Sequence, residues 1–312
     1  METGFKMIEM VLPVILMLAA GYVCKRNMFF DEGGLAGLKA VISNVTLPVV
    51  LFQAFLTAEY NLHVLLVFAV VYCGFGAALL AGYGVRRFVS PYGRFAPFLM
   101  TGAEGGMLGY ALYGLIAGKE NTYLFAMVDI GQTVFAYTVF LSMLKVTDGG
   151  SVTPKEILHN VLTNKACIGM MAGIVLGVSG VGKLILGSPA GGIAESLMAF
   201  VTAPTAGIIL IIVGYELSLD KELLRPVLKT VAFRLMVYAV ILAVVSTIIF
   251  QVIPFDKKLF MALLVMYSLP APFIIPLYAD VKEDGGYISS TLSVGTLVMV
   301  VLYAGIVGYS LI

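Results

Sequence analysis

A single acidic residue lies inside a cluster of glycines, in the middle of a long apolar run. Glu104 is surrounded by Gly102, Gly105, Gly106 and Gly109. Burying a carboxylate in the interior of a membrane costs at least about 3 kcal/mol, so such a residue is rarely incidental. We therefore expect Glu104 to bind a proton or another coupling cation. The alternative is a structural hydrogen bond to an interrupted backbone.

A second acid lies in the apolar run that follows. Asp129 and Gln132 are three residues apart, so they share one face of a helix. We expect both residues to contribute to a site for a proton or a sodium ion. Asp129 lies close enough to the end of its run that a position at the mouth of the site is the alternative.

Three prolines interrupt another apolar run near the end of the chain, at Pro270, Pro272 and Pro276. Proline lacks an amide donor and clashes with the preceding turn, and glycine weakens a helix by up to about 1 kcal/mol per residue. We therefore expect the glycine run and the proline run to be broken helices. Such breaks are tolerated at membrane depth only where they are buried in protein or line a wet cavity. Close helix packing and simple kinks are the alternative.

The composition indicates an integral membrane protein with many spans. The chain of 312 residues is 60% hydrophobic and 12% charged, and its mean hydropathy is +1.02. A soluble domain is typically about 45–50% apolar and about 25% charged. The net charge of +1 and the absence of a basic stripe exclude a nucleic-acid partner. With two histidines and three scattered cysteines, we expect no metal site and no cofactor.

Ten apolar runs are long enough to cross about 30 Å of hydrocarbon. They are 7–24, 35–56, 62–84, 95–117, 121–143, 164–186, 190–215, 227–251, 258–279 and 288–311. The segment 145–163 is the longest connection, and its Thr-Pro-Lys-Glu sequence at 153–156 predicts the start of a short surface helix. Lys and Arg are more frequent on the side that includes this connection. This bias predicts a multi-pass protein of the cytoplasmic membrane with both termini outside and 145–163 in the cytoplasm.

A short sequence recurs at half the length of the chain: VTLP at 45–48 and VTAP at 201–204. Five spans in each half is an odd number, so the second half enters the membrane from the opposite side. We therefore expect an all-α membrane protein with two inverted five-helix repeats, 1–144 and 164–312. Inverted repeats with interrupted helices in matching positions are a sequence pointer to a transporter site. The polar residues beside the recurring sequence, Asn44, Thr46 and Thr202, are further candidates for that site.

One cation lies within a span. Arg234 in the eighth run could pair with an acid or with an anionic substrate. Its position near the inner end of the run favours a side chain that snorkels to the inner surface.

The glycine cluster resembles a motif of the auxin efflux carrier family, which includes bacterial malate- and malonate-type permeases. Residues 104–112, EGGMLGYAL, are similar to the pattern N-x-G-F-x-G-x-P-L of that family's fourth span. The matching positions are Gly106, Gly109 and Leu112. Glu104 replaces the asparagine of the pattern, and Ala111 replaces the proline. The stretches LPVVLF at 47–52 and LPAPFIIPLYA at 269–279 also resemble the family's second and ninth spans.

The resemblance implies ten helices in two inverted repeats, with unwound helices four and nine crossing at the substrate site. It also implies a scaffold of helices 1, 2, 6 and 7, a transport part of helices 3–5 and 8–10, an elevator-type motion and a homodimer. Substrates of the family are mostly organic anions. A carboxylate at position 104 repels an anion unless it is protonated, which favours coupling to protons.

We therefore expect a secondary active transporter of a small organic anion such as a dicarboxylate, coupled to protons or sodium. The expected substrate-binding residues are Glu104, Gly105, Gly106, Gly109, Asn44, Thr46, Thr202, Pro270, Pro272 and Pro276. Alternatives on the same fold are a passive channel, a membrane sensor or a sodium/bile-acid-type symporter. An enzyme is not expected, because the apolar runs contain neither a Ser–His pair nor two apposed aspartates.

Overall fold

The apolar runs fold into helices, which satisfy their own backbone polar groups away from water. The computed structural model describes residues 2–58, 60, 62–147, 153–273, 275 and 284–312, and no β-strand occurs within these ranges. In chain order the helices are α1 (Gly4–Arg26), α2 (Glu32–Leu56), α3 (Leu62–Val89), α4 (Ala96–Leu99), α5 (Tyr110–Ala117), α6 (Thr122–Thr147), α7 (Pro154–Thr163), α8 (Lys165–Val178), α9 (Val181–Leu186), α10 (Gly191–Glu216), α11 (Leu224–Val252), α12 (Lys257–Ser268) and α13 (Gly285–Ser310).

Seven of these helices are long and apolar enough to cross a membrane, which identifies an integral membrane protein. They are α1, α2, α3, α6, α10, α11 and α13. The three other predicted spans fall on interrupted runs: α4 and α5 share the fourth, α8 and α9 share the sixth, and α12 is the described helix of the ninth. The sequence therefore predicted the seven long helices, and the three other apolar runs contain shorter helices among the described residues.

One pair of helices is in backbone contact through glycines. Helix α8 packs along the second half of α2. A Cβ added at Gly169 would clash with the carbonyl of Pro48, and one added at Gly173 would clash with the carbonyl of Phe52. Small residues of this kind let membrane helices approach closely and gain van der Waals contact.

A second pair is built in the same way. Helix α1 packs along the second half of α10. A Cβ added at Gly21 would meet the carbonyl of Ile211, and one added at Gly214 would meet the carbonyl of Leu18. The contact is reciprocal, because each helix contributes one glycine and one carbonyl. The backbones of both pairs are therefore in direct contact.

Three π turns widen the helices around the centre of the protein. They lie at Ile42–Thr46 within α2, at Gly105–Gly109 before α5, and at Ala136–Phe140 within α6. Each π turn adds one residue to a helical turn, and such turns are frequent at functional sites. Pro48 follows the first of them and lacks the amide that a regular α-helix would need there.

The predicted helix in the connection between the two halves is confirmed. Helix α7 begins with a reciprocal capping box, in which the Thr153 amide donates to Glu156 Oε2 at 3.1 Å and the Glu156 amide donates to Thr153 Oγ1 at 3.3 Å. The pair satisfies amides that a helix start leaves unbonded.

The contact between α1 and α10 can be tested with a matched pair of glycine substitutions. Gly214→Ala forces a methyl group against the Leu18 carbonyl, and overpacking of this kind costs about 1–3 kcal/mol. Gly305→Ala in α13 has open space around the new methyl and should be neutral or stabilise the helix by up to about 1 kcal/mol. In thermal unfolding of the purified protein in detergent, the melting temperature of Gly214→Ala should lie below that of the wild type. The melting temperature of Gly305→Ala should equal or exceed it. Equal melting temperatures for the two variants would contradict the close backbone contact.

Candidate functional site

Two interrupted segments contact each other at the centre of the protein. Residues 100–104 between α4 and the π turn are not helical, and residues 269–272 after α12 are not helical either. The Glu104 amide donates to the Pro270 carbonyl at 3.1 Å. The Phe273 amide donates to Glu104 Oε2 at 2.7 Å. The glycine and proline clusters therefore interrupt their helices at the predicted positions, and Glu104 is bonded to the opposite segment through both its backbone and its side chain.

The close approach of the two segments requires a glycine. Gly102 has a φ of +73°, which side chains of L-residues rarely allow. A Cβ at this position would also overlap the ring of Pro272. The same residue therefore supplies an unusual backbone conformation and a place for the opposing proline.

A buried arginine binds the carbonyls that the interruptions leave free. Arg234 on α11 is 5% exposed. Its Nη1 donates to the Leu99 carbonyl at 3.1 Å, and its Nη2 donates to the carbonyls of Gly102 at 2.6 Å and Leu269 at 2.9 Å. The prediction that Arg234 snorkels to the surface is therefore wrong. The guanidinium joins the two interrupted segments, and no described carboxylate forms an ion pair with it.

Tyr238 lies one turn after Arg234 and assists it. The tyrosine hydroxyl donates to the Gly102 carbonyl at 2.6 Å, and the guanidinium carbon of Arg234 lies 4.1 Å from the centre of the tyrosine ring. A cation over an aromatic face is stabilised, and more so away from water. Both side chains therefore project from one face of α11 onto the contact between segments 100–104 and 269–272, which we call the crossing.

Gln132 holds the crossing from the other side. Its Nε2 donates to the Ala103 carbonyl at 2.8 Å, and the side chain is 4% exposed. Gln132, which was predicted to contribute to one site with Asp129, thus bonds to the backbone. It satisfies another carbonyl of the non-helical segment.

Asp129 is buried beside the π turn and not at the mouth of a site. It is 1% exposed, and its Oδ2 accepts a hydrogen bond from Thr133 at 3.3 Å. No described donor bonds to its Oδ1. This oxygen lies against the backbone of Gly105, where an added Cβ would overlap it. A buried carboxylate oxygen without a partner is costly, so the arrangement is typical of a functional group.

A cavity of about 380 Å³ opens next to the crossing. Glu104, Asp129 and Gln132 all line it, together with Gly106, Pro272 and Phe273. The cavity widens between the start of α2 and the end of α10, where Lys39 and Glu216 form an ion pair at its edge. The two predicted acids therefore face one space that is large enough for a small molecule.

A second cavity of about 200 Å³ lies further along the same helices. On α10 it is lined by residues between Ala199 and Ile209, whereas the first cavity is lined by Val213 and Glu216. Leu47 and Gly106 line both cavities. A Cβ at Gly106 would lie 3.6 Å from the Leu47 side chain, so these two residues are close to each other where the two cavities meet.

Six of the twelve predicted site residues line these cavities, Asp129 and Gln132 among them. Glu104, Gly106 and Pro272 line the first cavity, and Thr202 lines the second. Gly105 contacts Asp129, and the Pro270 carbonyl accepts the bond from Glu104.

Other predicted residues lie elsewhere. Asn44 is exposed, and its amide donates to the Ala40 carbonyl at 2.8 Å. Thr46 is buried but lines neither cavity. Gly109 packs against the ring of Phe125. Pro276 lies outside the described residues. Asn44, Thr46 and Gly109 are therefore not brought to the cavities.

Several polar residues of the first cavity were not predicted to belong to the site. They are Lys39, Ser43, Thr133, Tyr137, Asn164 and Glu216. Asn164 Nδ2 donates to the Tyr137 hydroxyl at 2.9 Å, which joins the start of α8 to α6. Three of these residues, Lys39, Asn164 and Glu216, lie where predicted spans begin or end on the same side. That shared position was the signal in the sequence that could have grouped them.

The comparisons with known proteins add no assignment. No protein-family model matches the chain, and no curated protein matches it significantly. Among the described residues, no group of three or more His, Cys, Asp and Glu side chains is placed to hold a metal ion. The function must therefore be argued from the geometry of the crossing and its cavities.

The role of Arg234 at the crossing predicts a graded loss of stability. Hydrogen bonds to charged groups are worth about 1.5–3 kcal/mol each, and Arg234→Ala removes three of them, of which only the one to Gly102 leaves a carbonyl that still has the Tyr238 hydroxyl as a donor. We expect that variant to lose at least about 3 kcal/mol. Arg234→Lys should recover part of the loss, because an ammonium group keeps the charge but not the planar fork. Tyr238→Phe removes one neutral bond and should cost about 1 kcal/mol.

Chemical denaturation of the purified variants in detergent measures the order of their free energies of unfolding. A stability of Arg234→Ala equal to that of the wild type would contradict the joining role of the guanidinium.

Proposed function

We propose that this protein is a secondary active transporter that carries a small organic anion, such as a dicarboxylate, together with protons. The observation that carries the proposal is the position of Glu104. Its carboxylate lines the larger cavity and accepts a hydrogen bond from the opposite interrupted segment. A change in its charge therefore acts on the cavity and on the crossing at once, as coupling requires.

The contacts between helices support a fold of ten spans in two inverted repeats. Helix α1 packs on α10, and their counterparts in the proposed repeat, α8 and α2, pack on each other. Helix α3 packs on α6, and their counterparts α11 and α13 also pack on each other. Each of these contacts thus recurs between the counterpart helices of the proposed repeat. We propose the repeats 1–144 and 164–312 on this basis.

The two glycine-lined pairs, α1 with α10 and α8 with α2, fit the role of a scaffold. The crossing, α3, α6, α11 and α13 would then form the transport part. The larger cavity is lined from both sides, by Leu47 and Val213 of the scaffold and by Glu104 and Asp129 of the transport part. A solute held there would move with the transport part past the scaffold, in an elevator-type motion.

The charges around the cavity favour coupling to protons. Glu104 and Asp129 both face it, and the Lys39 ammonium is already paired with Glu216. An anion entering beside two ionised carboxylates would be repelled. Once the acids are protonated, the start of the helix at Gly105 offers amides and a positive dipole end to the anion. The anion and the protons would therefore bind together.

The same two carboxylates favour a second candidate, a carrier of a cationic solute. In that case the acids stay ionised and bind the solute directly. A passive channel is less favoured, because the Leu47–Gly106 contact separates the two cavities. A sensor on the same fold would transport no solute. A sodium/bile-acid-type symporter would transport its solute only in the presence of sodium.

Replacing Glu104 by glutamine tests the coupling. Glutamine keeps an oxygen for the Phe273 amide, so the crossing should stay intact. In wild-type vesicles, uptake of a labelled dicarboxylate should rise as the outer pH falls, because each unit above the titration point lowers the protonated fraction about tenfold. Glu104→Gln mimics the protonated acid, and its uptake should not depend on pH.

The matched control is Glu195→Gln, an exposed carboxylate on α10 that should leave the pH profile unchanged. A pH-dependent profile in Glu104→Gln would contradict the coupling role. Uptake of labelled amines in place of dicarboxylates, faster at high pH, would instead support the cation carrier.

We also propose that both termini lie outside a cytoplasmic membrane, as the Lys and Arg bias predicts. Single cysteines at exposed sites test this orientation in intact cells. Glu222→Cys, before α11, should be protected from a membrane-impermeant thiol reagent, whereas Thr57→Cys, after α2, should react. The reverse pattern would overturn the orientation but not the fold.

A further inference from the structure

The larger cavity has an ion pair at its edge. The Lys39 ammonium on α2 donates to Glu216 Oε1 at the end of α10, and both side chains line the cavity. Lys39 is the one cationic side chain among the described residues that line this space. Its side chain is 35% exposed and that of Glu216 is 25% exposed, so both are within reach of a solute that enters.

The end of α10 is held in place by contacts other than this pair. Tyr215 stacks on Phe30 with 4.8 Å between ring centres, and its hydroxyl donates to the Phe30 carbonyl at 3.0 Å. The Lys25 ammonium donates to the Leu217 carbonyl at 3.0 Å. The residues on both sides of Glu216 are therefore fixed without it. Because a half-exposed ion pair also contributes little net stability, the pair can open at low cost to the fold.

Most of the hydrogen-bonding capacity of the pair is unused. An ammonium group has three N–H donors, and a carboxylate has two acceptor oxygens. Among the described residues, the Lys39 ammonium donates to Glu216 alone, and the Glu216 carboxylate accepts from Lys39 alone. A carboxylate of a solute can therefore take the place of Glu216 on the ammonium without breaking any other bond.

The position of Lys39 suits a solute with a charge at each end. The α2 residues that line the larger cavity run from Lys39 to Leu51, so the lysine is at one end of the space. Leu47 is eight residues after Lys39, which corresponds to about 12 Å of helix at about 1.5 Å per residue. Leu47 also lies next to Gly106, in the segment that carries Glu104. Lys39 and the interrupted segment can therefore bind the two ends of one small molecule.

We propose that Lys39 binds one carboxylate of the transported anion and that Glu216 occupies the ammonium when the cavity is empty. On entry, the solute carboxylate replaces the Glu216 carboxylate, and the released glutamate turns to water at the edge of the cavity. The other carboxylate of the solute then lies toward the segment that carries Glu104. The inference makes the solute a dicarboxylate, and it rests on the proposed function in taking the bound anion to be the transported one.

The exchange discriminates between anions of one and of two charges. A monocarboxylate replaces one carboxylate by another on the ammonium and gains no further ionic contact. A dicarboxylate makes the same replacement and adds a contact with the amides at the start of the helix at Gly105. Glu216 therefore acts as an internal competitor that a dicarboxylate displaces more readily than a monocarboxylate does.

Titration calorimetry of the purified full chain in detergent, with malonate, succinate and glutarate, tests the site. Lys39→Gln should weaken binding of the best of these acids at least about tenfold, because a hydrogen bond to a charged group is lost. Glu216→Gln should strengthen it by up to about fivefold, the change that corresponds to a half-exposed ion pair. Lys39→Arg keeps the cation and should retain most of the affinity. The matched control, Lys183→Gln on α9, removes an exposed cation that lines neither cavity and should change nothing.

The double variant Lys39→Gln with Glu216→Gln separates exchange from a general effect of charge. If Glu216 acts by occupying the ammonium, its replacement has no effect once the ammonium is absent. The double variant should then bind like Lys39→Gln. A gain from Glu216→Gln that is the same in both backgrounds would overturn the exchange. Equal affinity of the wild type for succinate and butyrate would overturn the assignment of a dicarboxylate.

Uptake into vesicles distinguishes this inference from the proposed function. If the dicarboxylates bind as described but vesicles accumulate none of them, the transport function fails and the Lys39 site stands. If vesicles accumulate a dicarboxylate with the same KM in the wild type and in Lys39→Gln, the transport function stands and the Lys39 site is overturned. Failure of the wild type to bind any of the three acids would also overturn the site. Glu216→Gln and Lys39→Arg still decide the exchange if Lys39→Gln does not fold.

Discussion

Unbonded backbone carbonyls at membrane depth are the constraint on which this structure depends. Glycines before α5 and prolines after α12 stop two helices in the middle of the protein, and water is not available there to bond the freed groups. Arg234 binds three of these carbonyls, from both segments, and Gln132 binds a fourth. The crossing exists because side chains of two intact helices replace the bonds that the interrupted helices lack.

The charge distribution at the crossing follows from this use of side chains to bond the free carbonyls. The guanidinium of Arg234 is occupied with carbonyls and lines neither large cavity, whereas Glu104 and Asp129 line the larger one. The positive charge and the two acids are thus on different sides of the interrupted backbone. An arginine cannot release its proton, but a carboxylate can accept one. A proton-dependent change of charge would therefore arise on the cavity side, while the arginine that holds the crossing together keeps its charge.

Sequence patterns predicted the helices and their interruptions well, because apolar length, glycine clusters and proline clusters act locally. The prediction that Arg234 snorkels was wrong because the depth of this residue was measured from residue 227, where the eighth apolar run was predicted to start. Helix α11 begins at Leu224, which places the arginine about 15 Å along the helix at about 1.5 Å per residue. Asn44 was misassigned because it lies within a π turn, which rotates the side chains relative to a regular helix. The Lys39–Glu216 pair depends on which helix ends meet in space, and spacing along one chain does not encode that.

Little side-chain bulk lies at the Leu47–Gly106 contact, where the two cavities meet. One of its two residues is a glycine, so a single side chain, that of Leu47, separates the spaces. Leu47 belongs to a helix fixed by backbone contact with α8, whereas Gly106 belongs to the segment that carries Glu104. A shift of about one helical turn, about 5.4 Å, would carry Gly106 past Leu47. The rigidity of the glycine-lined pairs would then work in favour of movement, because a fixed wall lets a small displacement of the crossing exchange one cavity for the other.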